Sequence, residues 1–257
     1  MSVTLFTTPR PFKDHYQIIQ VNALKSWGLL DPPPTQVLVF ADREHEGDLA
    51  VDFAEEQGFQ VVPVLRRSPY CVPLVSDLFS RAQEMAGDGI ACYVNADILM
   101  DNSLVPGLEK AVALAEAQKK DGVLAVCRRW NVQVLDYMEF EEGWREEIWQ
   151  KVTDQGSLIP PCAIDLFAWK GEVWVNIPDF AIGRYAWDNW LIGNASARGV
   201  PVVDVTKVVR IIHQPHQIVP WEDPDATENF QKAKVMGGMQ HCTHTLTEDG
   251  LVDGWLG

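Results

Sequence analysis

The sequence predicts an α/β protein in which a Rossmann-like, mostly parallel mixed sheet is flanked by helices. Short apolar runs rich in β-branched residues alternate with amphipathic helical patterns, which is typical of βαβ units. Several of these runs end in polar residues, as strands at a ligand-binding sheet edge do. The 257 residues suffice for one α/β domain with a short appendage, and 47% of them are apolar.

The first half of the chain carries this alternation most regularly. A strand-like run from Val3 to Phe6 precedes a helix in which Tyr16, Ile19, Ala23 and Trp27 recur at spacings of three and four, giving one apolar stripe. The prolines of residues 31–34 end that helix. Further strands are predicted over residues 37–40, 61–65, 90–94 and 123–127, and helices over residues 73–85 and 104–115.

The alternation weakens from Trp130 onward, where aromatic-rich segments are separated by glycine and proline. We expect this region to form one side of a ligand-binding cleft. A last helix is predicted over residues 187–198, with strands over residues 202–205 and 208–212. We expect one domain over residues 1–225 and a weakly patterned tail, residues 226–257, that packs on it or extends it.

The charge balance bears on the partners of the protein. Lysine and arginine number 21 against 36 acidic residues, so the net charge is 21 − 36 = −15, which argues against nucleic-acid binding through phosphate neutralisation. An anionic ligand would need a bound cation or a few arginines facing inward. The five cysteines form no CxxC pair, and no signal or membrane-spanning pattern is present, so we expect a cytoplasmic protein.

The strand over residues 90–94 leads into the sharpest motif, Asn95-Ala96-Asp97. Alternation along an extended chain puts Asn95 and Asp97 on the same side, where an amide and a carboxylate can hold a ribose hydroxyl and a divalent cation bridging a diphosphate. Asp97 is alternatively a turn or helix-cap residue, although Asp101 and Asn102 are better placed to cap the next helix.

A second group of polar residues lies at the start of the last predicted helix. Asp188 and Asn189 fall in its first turn, where an acidic residue also complements the helix dipole. Arg184 precedes them, and Trp187 and Trp190 suggest an aromatic wall facing a sugar.

Three further sets of residues are candidates for binding. His213 and His216 follow a strand-like run and can ligate a metal or contact phosphate. The pairs Arg66-Arg67 and Arg128-Arg129 also follow such runs, and each pair either reaches donor phosphates or lies on the surface. Asp165 either bonds a sugar hydroxyl or is buried and paired.

Taken in order, several segments resemble a group of glycosyltransferases with the GT-A fold, the fold of nucleotide-diphospho-sugar transferases. The resemblance spans about residues 3–220 and is specific in its combination. The segments are FTTPRPF, IIQVNALKSW, VLVF, PLVSDLFSRA, YVNADILM, AIDLFAW, IGRYAWDNWLI, VVDVT and HQPH.

The resemblance implies a function and roles for individual residues. Residues 95–97 stand where GT-A enzymes keep the DxD motif that binds metal and nucleotide, with Asn95 in place of the first aspartate. Asp188 would be the acceptor-side carboxylate, and His213 or His216 the late metal ligand. The residues that would hold the base and ribose are Thr7, Thr8, Pro9 and Asp42.

We therefore expect a glycosyltransferase that uses Mn²⁺ or Mg²⁺ and moves a sugar from a UDP- or GDP-sugar to a glycan or small-molecule acceptor. Two alternatives remain. A sugar-phosphate nucleotidylyltransferase shares the scaffold but uses a glycine-rich first loop, where this chain has FTTPRPF. A catalytically silent sugar- or nucleotide-binding protein would keep the cleft without turnover.

Overall fold

The computed structural model describes residues 1–118, 120–217 and 219–257. Its helices are α1 (Asp14–Gly28), α2 (Asp48–Glu56), α3 (Val75–Ala86), α4 (Leu104–Ala117), α5 (Trp144–Gln155), α6 (Trp187–Ala197) and α7 (Pro224–Lys232). Its strands are β1 (Val3–Thr7), β2 (Gln36–Phe40), β3 (Gln60–Val62), β4 (Ile90–Val94), β5 (Ile98–Met100), β6 (Gly122–Arg128), β7 (Trp130–Asn131), β8 (Ser157–Leu158), β9 (Ile164–Gly171), β10 (Val202–Asp204), β11 (Ile211–His213), β12 (His244–Thr247) and β13 (Gly250–Asp253).

The strands form a large sheet and a small one. The nine-stranded sheet has the order β13-β12-β10-β6-β9-β4-β1-β2-β3 and is parallel except where β9 and β13 pair antiparallel with their neighbours. The four-stranded sheet has the order β5-β11-β7-β8. Because β5 follows β4 after three residues, the chain passes from one sheet to the other at Asn95–Asp97.

Apolar side chains fill both faces of the large sheet. Helices α1, α2 and α4 cover one face and contribute residues such as Trp27, Ala54 and Leu108. Helices α3 and α6 cover the other face, where Phe79 and Leu191 are buried. Helix α5 packs on the small sheet. Within the described part of the chain, no helix combines the length and the apolar character needed to cross a membrane.

The structure corrects the predicted pattern in the second half of the chain. Strand β9 lies in the region predicted to be irregular, and it is the central antiparallel strand between β4 and β6. Its residues are buried on both faces, so they show little alternation. The tail is also more regular than predicted, because β12 and β13 join the edge of the large sheet. The predicted boundary after residue 225 falls inside α7.

The tail meets α6 through a close approach of two glycines. A Cβ atom at Gly193 would lie 2.9 Å from the backbone of Gly237, and one at Gly237 would lie 2.7 Å from the Gly193 nitrogen. The Gly237 amide donates to the Asn189 carbonyl at 2.8 Å. Helix α6 therefore keeps its place only while both positions lack a side chain.

We expect Gly193→Ala to destabilise the fold by about 1–3 kcal/mol, because the new methyl group must push backbone aside in a close-packed interior. Gly28→Ala is the matched control. Its Cβ would have ordinary contacts at 3.7 Å or more, so its stability should change by less than about 1 kcal/mol. Urea unfolding of both variants measures the difference, and equal midpoints would contradict the packing described here.

Candidate functional site

A cleft of about 850 Å³ opens at the carboxyl ends of the parallel strands. Its walls come from the loops after β1, β2, β4 and β6, and from the start of α6. Thr8, Glu46, Asn95 and Arg129 stand on these four loops. The volume suits a ligand of nucleotide-sugar size, and this edge is where open α/β sheets bind ligands.

Strand pairing brings together three side chains, Asp97, His213 and His216, which we call the ligand triad. Strand β11 pairs antiparallel with β5 so that His213 lies opposite Ile98, next to Asp97. His216 follows three residues later and its Nε2 lies 2.9 Å from Asp97 Oδ2, while His213 Nε2 lies 3.6 Å from the same oxygen. Each of the three residues offers one ligand atom, and these atoms lie within 4.8 Å of one another.

The other nitrogen of each imidazole ring has a partner outside the triad. His213 Nδ1 lies 3.2 Å from Asn131 Oδ1, and His216 Nδ1 lies 2.8 Å from the carbonyl of Gln217. Because both partners are acceptors, each ring can keep a proton on Nδ1 while its Nε2 binds a metal. Without a metal, His216 Nε2 is hydrogen-bonded to Asp97, and metal binding would replace that bond. Asp97 Oδ1 is buried and has no hydrogen-bond partner among the described residues. These three atoms fit a divalent cation.

Electrostatics in the triad also favour a cation. Burial raises the pKa of Asp97, but His213, His216 and Arg129 outweigh it and lower the value to about 2, so the carboxyl group stays ionised. Burial is the largest cause that lowers the pKa of His213. Burial also acts to lower the pKa of His216, but the hydrogen bond to Asp97 raises it on balance.

Two buried polar side chains, Gln214 after β11 and Asn22 of α1, hold the triad in place. Gln214 donates to the Asp97 carbonyl at 3.0 Å and to the Ile19 carbonyl at 2.8 Å, and Asn22 donates to Gln214 Oε1 at 3.1 Å. Sequence reasoning missed these residues. The sequence offered one signal, which is that polar residues occur among the apolar residues of α1. Two of these polar residues, Gln20 and Asn22, are buried.

A second network connects Asn95, Asp165 and Arg129. Asp165 accepts hydrogen bonds from the Asn95 amide and from the Arg129 guanidinium, and it is only 3% exposed. The Asn95 oxygen accepts from the Tyr93 hydroxyl at 2.6 Å. Asn95 therefore lines the cleft with both amide atoms already bonded to protein, and Asp165 is buried and paired.

We expect Arg129→Ala to destabilise the protein by about 3 kcal/mol or more, because it leaves the Asp165 carboxylate buried without its positive partner. Arg66→Ala is the control, since Arg66 is exposed and pairs with Asp179 on the surface. The control should change stability by less than about 1 kcal/mol. Unfolding in guanidinium chloride compares the two variants. If Arg129→Ala leaves the free energy of unfolding unchanged, the role assigned to the Arg129–Asp165 pair is wrong.

The structure corrects the choice of arginines made from the sequence. Arg66 bonds Asp179 at 2.5 Å, and Arg128 donates to the Ile159 carbonyl at 2.9 and 2.6 Å. Neither of these two residues lines the cleft. Arg67 and Arg129 line the cleft instead. Arg66 and Arg67 lie in the loop after β3, and Arg129 follows the last residue of β6. Two adjacent arginines in the sequence do not show which of them the backbone turns toward the cleft.

Four predicted nucleotide contacts lie near the end of β1 and β2. Thr8 and Pro9 line the cleft, whereas Thr7 is fully buried beneath it. Asp42 accepts from Arg67 at 2.6 Å and lies 2.9 Å from His45 Nδ1, so this carboxylate holds the wall of the cleft together. Burial raises the pKa of Asp42, but these hydrogen bonds lower it overall.

Asp188 lines the cleft at the start of α6. Burial is the largest cause that raises its pKa to about 7, and the nearby Asp165 carboxylate adds to this, while backbone hydrogen bonds and Arg129 oppose it. Ala186, which precedes the helix, has a φ of 78°. This left-handed conformation costs a non-glycine residue roughly 1–2 kcal/mol, and such strain is concentrated at functional sites.

Of the two tryptophans predicted to form an aromatic wall, Trp187 lines the cleft and Trp190 does not. Trp187 is 4% and Trp190 is 7% exposed, and Trp187 also packs edge-on against Tyr93. Asn189 donates to the Cys162 carbonyl at 3.2 Å and so fixes a loop. Arg184 does line the cleft, where it pairs with Asp223 at 2.9 Å.

No protein-family model matches the sequence, and no curated protein matches it either. Among solved structures, glucosyl-3-phosphoglycerate synthase from Mycobacterium tuberculosis in complex with phosphoglyceric acid aligns with a TM-score of 0.50. The identity is 13%, over 89% of this chain and 77% of that chain. The same synthase with Mn²⁺, UDP and glucosyl-3-phosphoglycerate aligns with a TM-score of 0.49 and 14% identity, over 89% and 77%. TarS from S. aureus aligns with a TM-score of 0.38 and 15% identity, over 54% and 39%.

The order of the strands and the likeness to the first of these structures agree on the architecture. Identity this low shows the fold alone. The chain has the GT-A fold that the resemblance of its sequence segments implies.

Proposed function

We propose that the chain is a metal-dependent glycosyltransferase that moves a sugar from a UDP- or GDP-sugar to an acceptor bound near Asp188. The observation that carries this proposal is the ligand triad beside an arginine-lined cleft of about 850 Å³. A nucleotide diphosphate is strongly anionic, and this protein has a net charge of −15. A cation and inward-facing arginines at this one place supply the local attraction that the whole protein lacks.

The metal-ligand atoms of the triad favour Mn²⁺ over Mg²⁺. Two imidazole nitrogens suit a transition-metal ion, whereas Mg²⁺ prefers oxygen ligands and retains several waters. When bound, the metal would neutralise the negative charge that develops on the leaving diphosphate. Asp97, His213 and His216 would hold it. Asn95, whose amide is bonded to protein, would position the loop that carries Asp97.

Other residues of the cleft fit the donor. Thr8 Oγ1 is buried and has no hydrogen-bond partner among the described residues, so it can bond the nucleotide. Arg10 also lines the cleft. Its guanidinium lies 5.0 Å from the Tyr16 ring centroid and forms no ion pair with the carboxylates that the structure describes. Arg10 would therefore contact a donor phosphate, a role that sequence reasoning did not assign.

Asp188 is the proposed acceptor-side carboxylate. A carboxyl group with a pKa of about 7 is suited to accept a proton at neutral pH, so in an inverting reaction Asp188 would take the proton of the acceptor hydroxyl. In a retaining reaction no base is required at that position, and Asp188 would orient the acceptor by a hydrogen bond. The fold neighbour from M. tuberculosis is by its name a glucosyl-3-phosphoglycerate synthase, which is in keeping with sugar transfer by this chain.

A thermal-shift screen of UDP-, GDP-, dTDP- and CMP-sugars, each with and without Mn²⁺, tests the proposal. A ligand at about 100 times its Kd stabilises the native state by about 2.7 kcal/mol, which raises the Tm by roughly 5 °C or more for a protein of this size. We expect a nucleotide-diphosphate sugar to do so only with Mn²⁺. A flat response to all four classes would overturn the proposal.

Turnover separates the proposal from its alternatives. A glycosyltransferase slowly hydrolyses its donor and releases a nucleoside diphosphate when no acceptor is present. A silent binder shows the thermal shift without releasing nucleotide. A nucleotidylyltransferase makes nucleotide sugar and pyrophosphate from a nucleoside triphosphate and a sugar phosphate.

A further inference from the structure

A group of exposed side chains at the rim of the cleft is left unexplained by the donor site. We call it the rim patch, and it consists of Tyr185, Trp221 and Phe230 with the ion pair Arg184–Asp223. Trp221 is 61% exposed and Phe230 is 40% exposed. Tyr185 and Arg184 also line the cleft, so the patch is continuous with it.

The aromatic rings of the patch form a flat surface. Tyr185 and Trp221 stack with centroids 3.8 Å apart and an interplanar angle of 1°. Phe230 is nearly parallel to both rings, at 5.4 Å from Trp221 and 6.1 Å from Tyr185. These distances place Phe230 beside the stack rather than on top of it. Neither ring covers the face of Trp221 that points away from Tyr185, which agrees with its high exposure.

A polar pair lies beside this surface. Asp223 Oδ1 accepts from Arg184 Nε at 2.9 Å and from the Ala226 amide at 3.2 Å. Among the described residues, Asp223 Oδ2 and Arg184 Nη2 have no hydrogen-bond partner. Carboxylate and guanidinium groups can each bond two neighbouring hydroxyls of a sugar, while the polarised C–H groups of a pyranose face rest on an aromatic ring.

The position and charge of the patch point to an acceptor rather than to the donor. Tyr185 lies three residues before Asp188, so the patch adjoins the acceptor side of the proposed reaction. Trp221 is followed by Glu222 and Asp223. Arg184 balances the charge of Asp223, so Glu222 gives the patch a net negative charge. This charge disfavours a phosphorylated acceptor and an anionic lipid surface, and it has little effect on a neutral sugar.

We propose that the rim patch binds a sugar ring of the acceptor, so that the acceptor is a neutral saccharide or glycoside. This inference rests on the proposed function and deepens it. Trp221 supplies the stacking face, and Arg184 and Asp223 bond the hydroxyls of the same ring.

The test follows the ¹⁹F NMR resonance of Trp221. The protein is labelled with 5-fluorotryptophan, and Trp221→Phe identifies the Trp221 resonance among those of the ten tryptophans in the ¹⁹F NMR spectrum. Maltose, cellobiose, 3-phosphoglycerate, and vesicles of phosphatidylcholine with phosphatidylglycerol are added in separate titrations. We expect a disaccharide to shift the Trp221 resonance and the other two probes to leave it unchanged. No shift with either disaccharide at tens of millimolar, or a shift with 3-phosphoglycerate or vesicles alone, overturns the inference.

Variants separate ligand binding from a purely structural role. Trp221→Ala should weaken disaccharide binding about tenfold, measured by the protein NMR signals of the cleft, and leave the calorimetric Kd of UDP or GDP with Mn²⁺ unchanged. Tyr137→Ala removes another exposed aromatic ring, 49% exposed, and should change neither quantity. If Trp221→Ala weakens nucleotide binding and leaves sugar binding intact, the stack holds the loop after β11 and the inference is wrong. If the wild-type protein binds disaccharide but no nucleotide, the proposed function fails while the rim patch stands.

Discussion

Asp97→Asn is expected to weaken Mn²⁺-dependent nucleotide binding by more than 100-fold, because it removes the only charged oxygen ligand of the triad. Donor turnover should fall with it. His213 and His216 remain, but two neutral imidazole ligands do not replace the carboxylate. Calorimetry of UDP and GDP, with and without Mn²⁺, measures the loss.

A matched variant controls for the general loss of one acidic residue. Asp52→Asn removes an exposed carboxylate on α2 and should leave nucleotide affinity as it is in the wild-type protein. If Asp97→Asn retains Mn²⁺-dependent affinity, the metal is held elsewhere and the assignment of the triad is wrong. If Asp97→Asn weakens only the nucleotide binding that is measured without Mn²⁺, Asp97 instead supports the fold of the cleft.

The second large effect is expected for Asp188→Asn. The substitution keeps the shape of the side chain and removes a base, so donor binding should survive while transfer to the acceptor falls by roughly 10²–10⁴-fold if the reaction inverts the anomeric centre. Transfer assays beside calorimetry separate the two quantities. If transfer falls while donor hydrolysis persists, Asp188 serves the acceptor. Wild-type transfer by this variant would contradict its role at the site.

Asp188→Asn should also change how stability depends on pH. The pKa of Asp188 is raised from 3.8 to about 7 in the folded protein, so the folded state binds more protons than the unfolded state between these values. The wild-type free energy of unfolding therefore falls as pH rises through this window, by at most about 4 kcal/mol from this group. The Asn variant should lack that part of the slope. Urea unfolding from pH 4.5 to pH 8 in EDTA measures it, and parallel curves for the two proteins would contradict the raised pKa.

Much of the fold could be predicted because it depends on local patterns. The strand after α1 and the one that ends before Asn95 are continuous buried runs, and α4 shows a clear apolar stripe. The helix α1 was also predicted, although it is buried on nearly all sides from Ile19 to Trp27. The central antiparallel strand β9 could not be predicted in this way. Its place between β4 and β6 is decided by pairing partners far away in the sequence, and its burial on both faces hides the alternation of a strand.

The candidate site shows the same division. Asn95, Asp97, His213 and His216 could be selected because polar residues after apolar runs gather at one sheet edge. For Arg128 and Arg129, which arginine faces the cleft depends on where β6 ends, since a shift of one residue turns a side chain to the opposite face. For Arg66 and Arg67 it depends on the conformation of the loop after β3, which the sequence pattern does not predict. Trp187 was expected to face the cleft, and it lines it; the sequence does not show that the same ring also packs on Phe79 and Tyr93.

The measurement that tests the central proposal most directly is a crystal structure of the protein with Mn²⁺ and the nucleoside diphosphate found in the thermal-shift screen, with anomalous data collected at the manganese edge. We predict an anomalous peak bonded to Asp97, His213 and His216, with the diphosphate between that peak and Arg129 in the cleft. A manganese peak away from these three residues, or a nucleotide bound outside the cleft, would contradict the proposal.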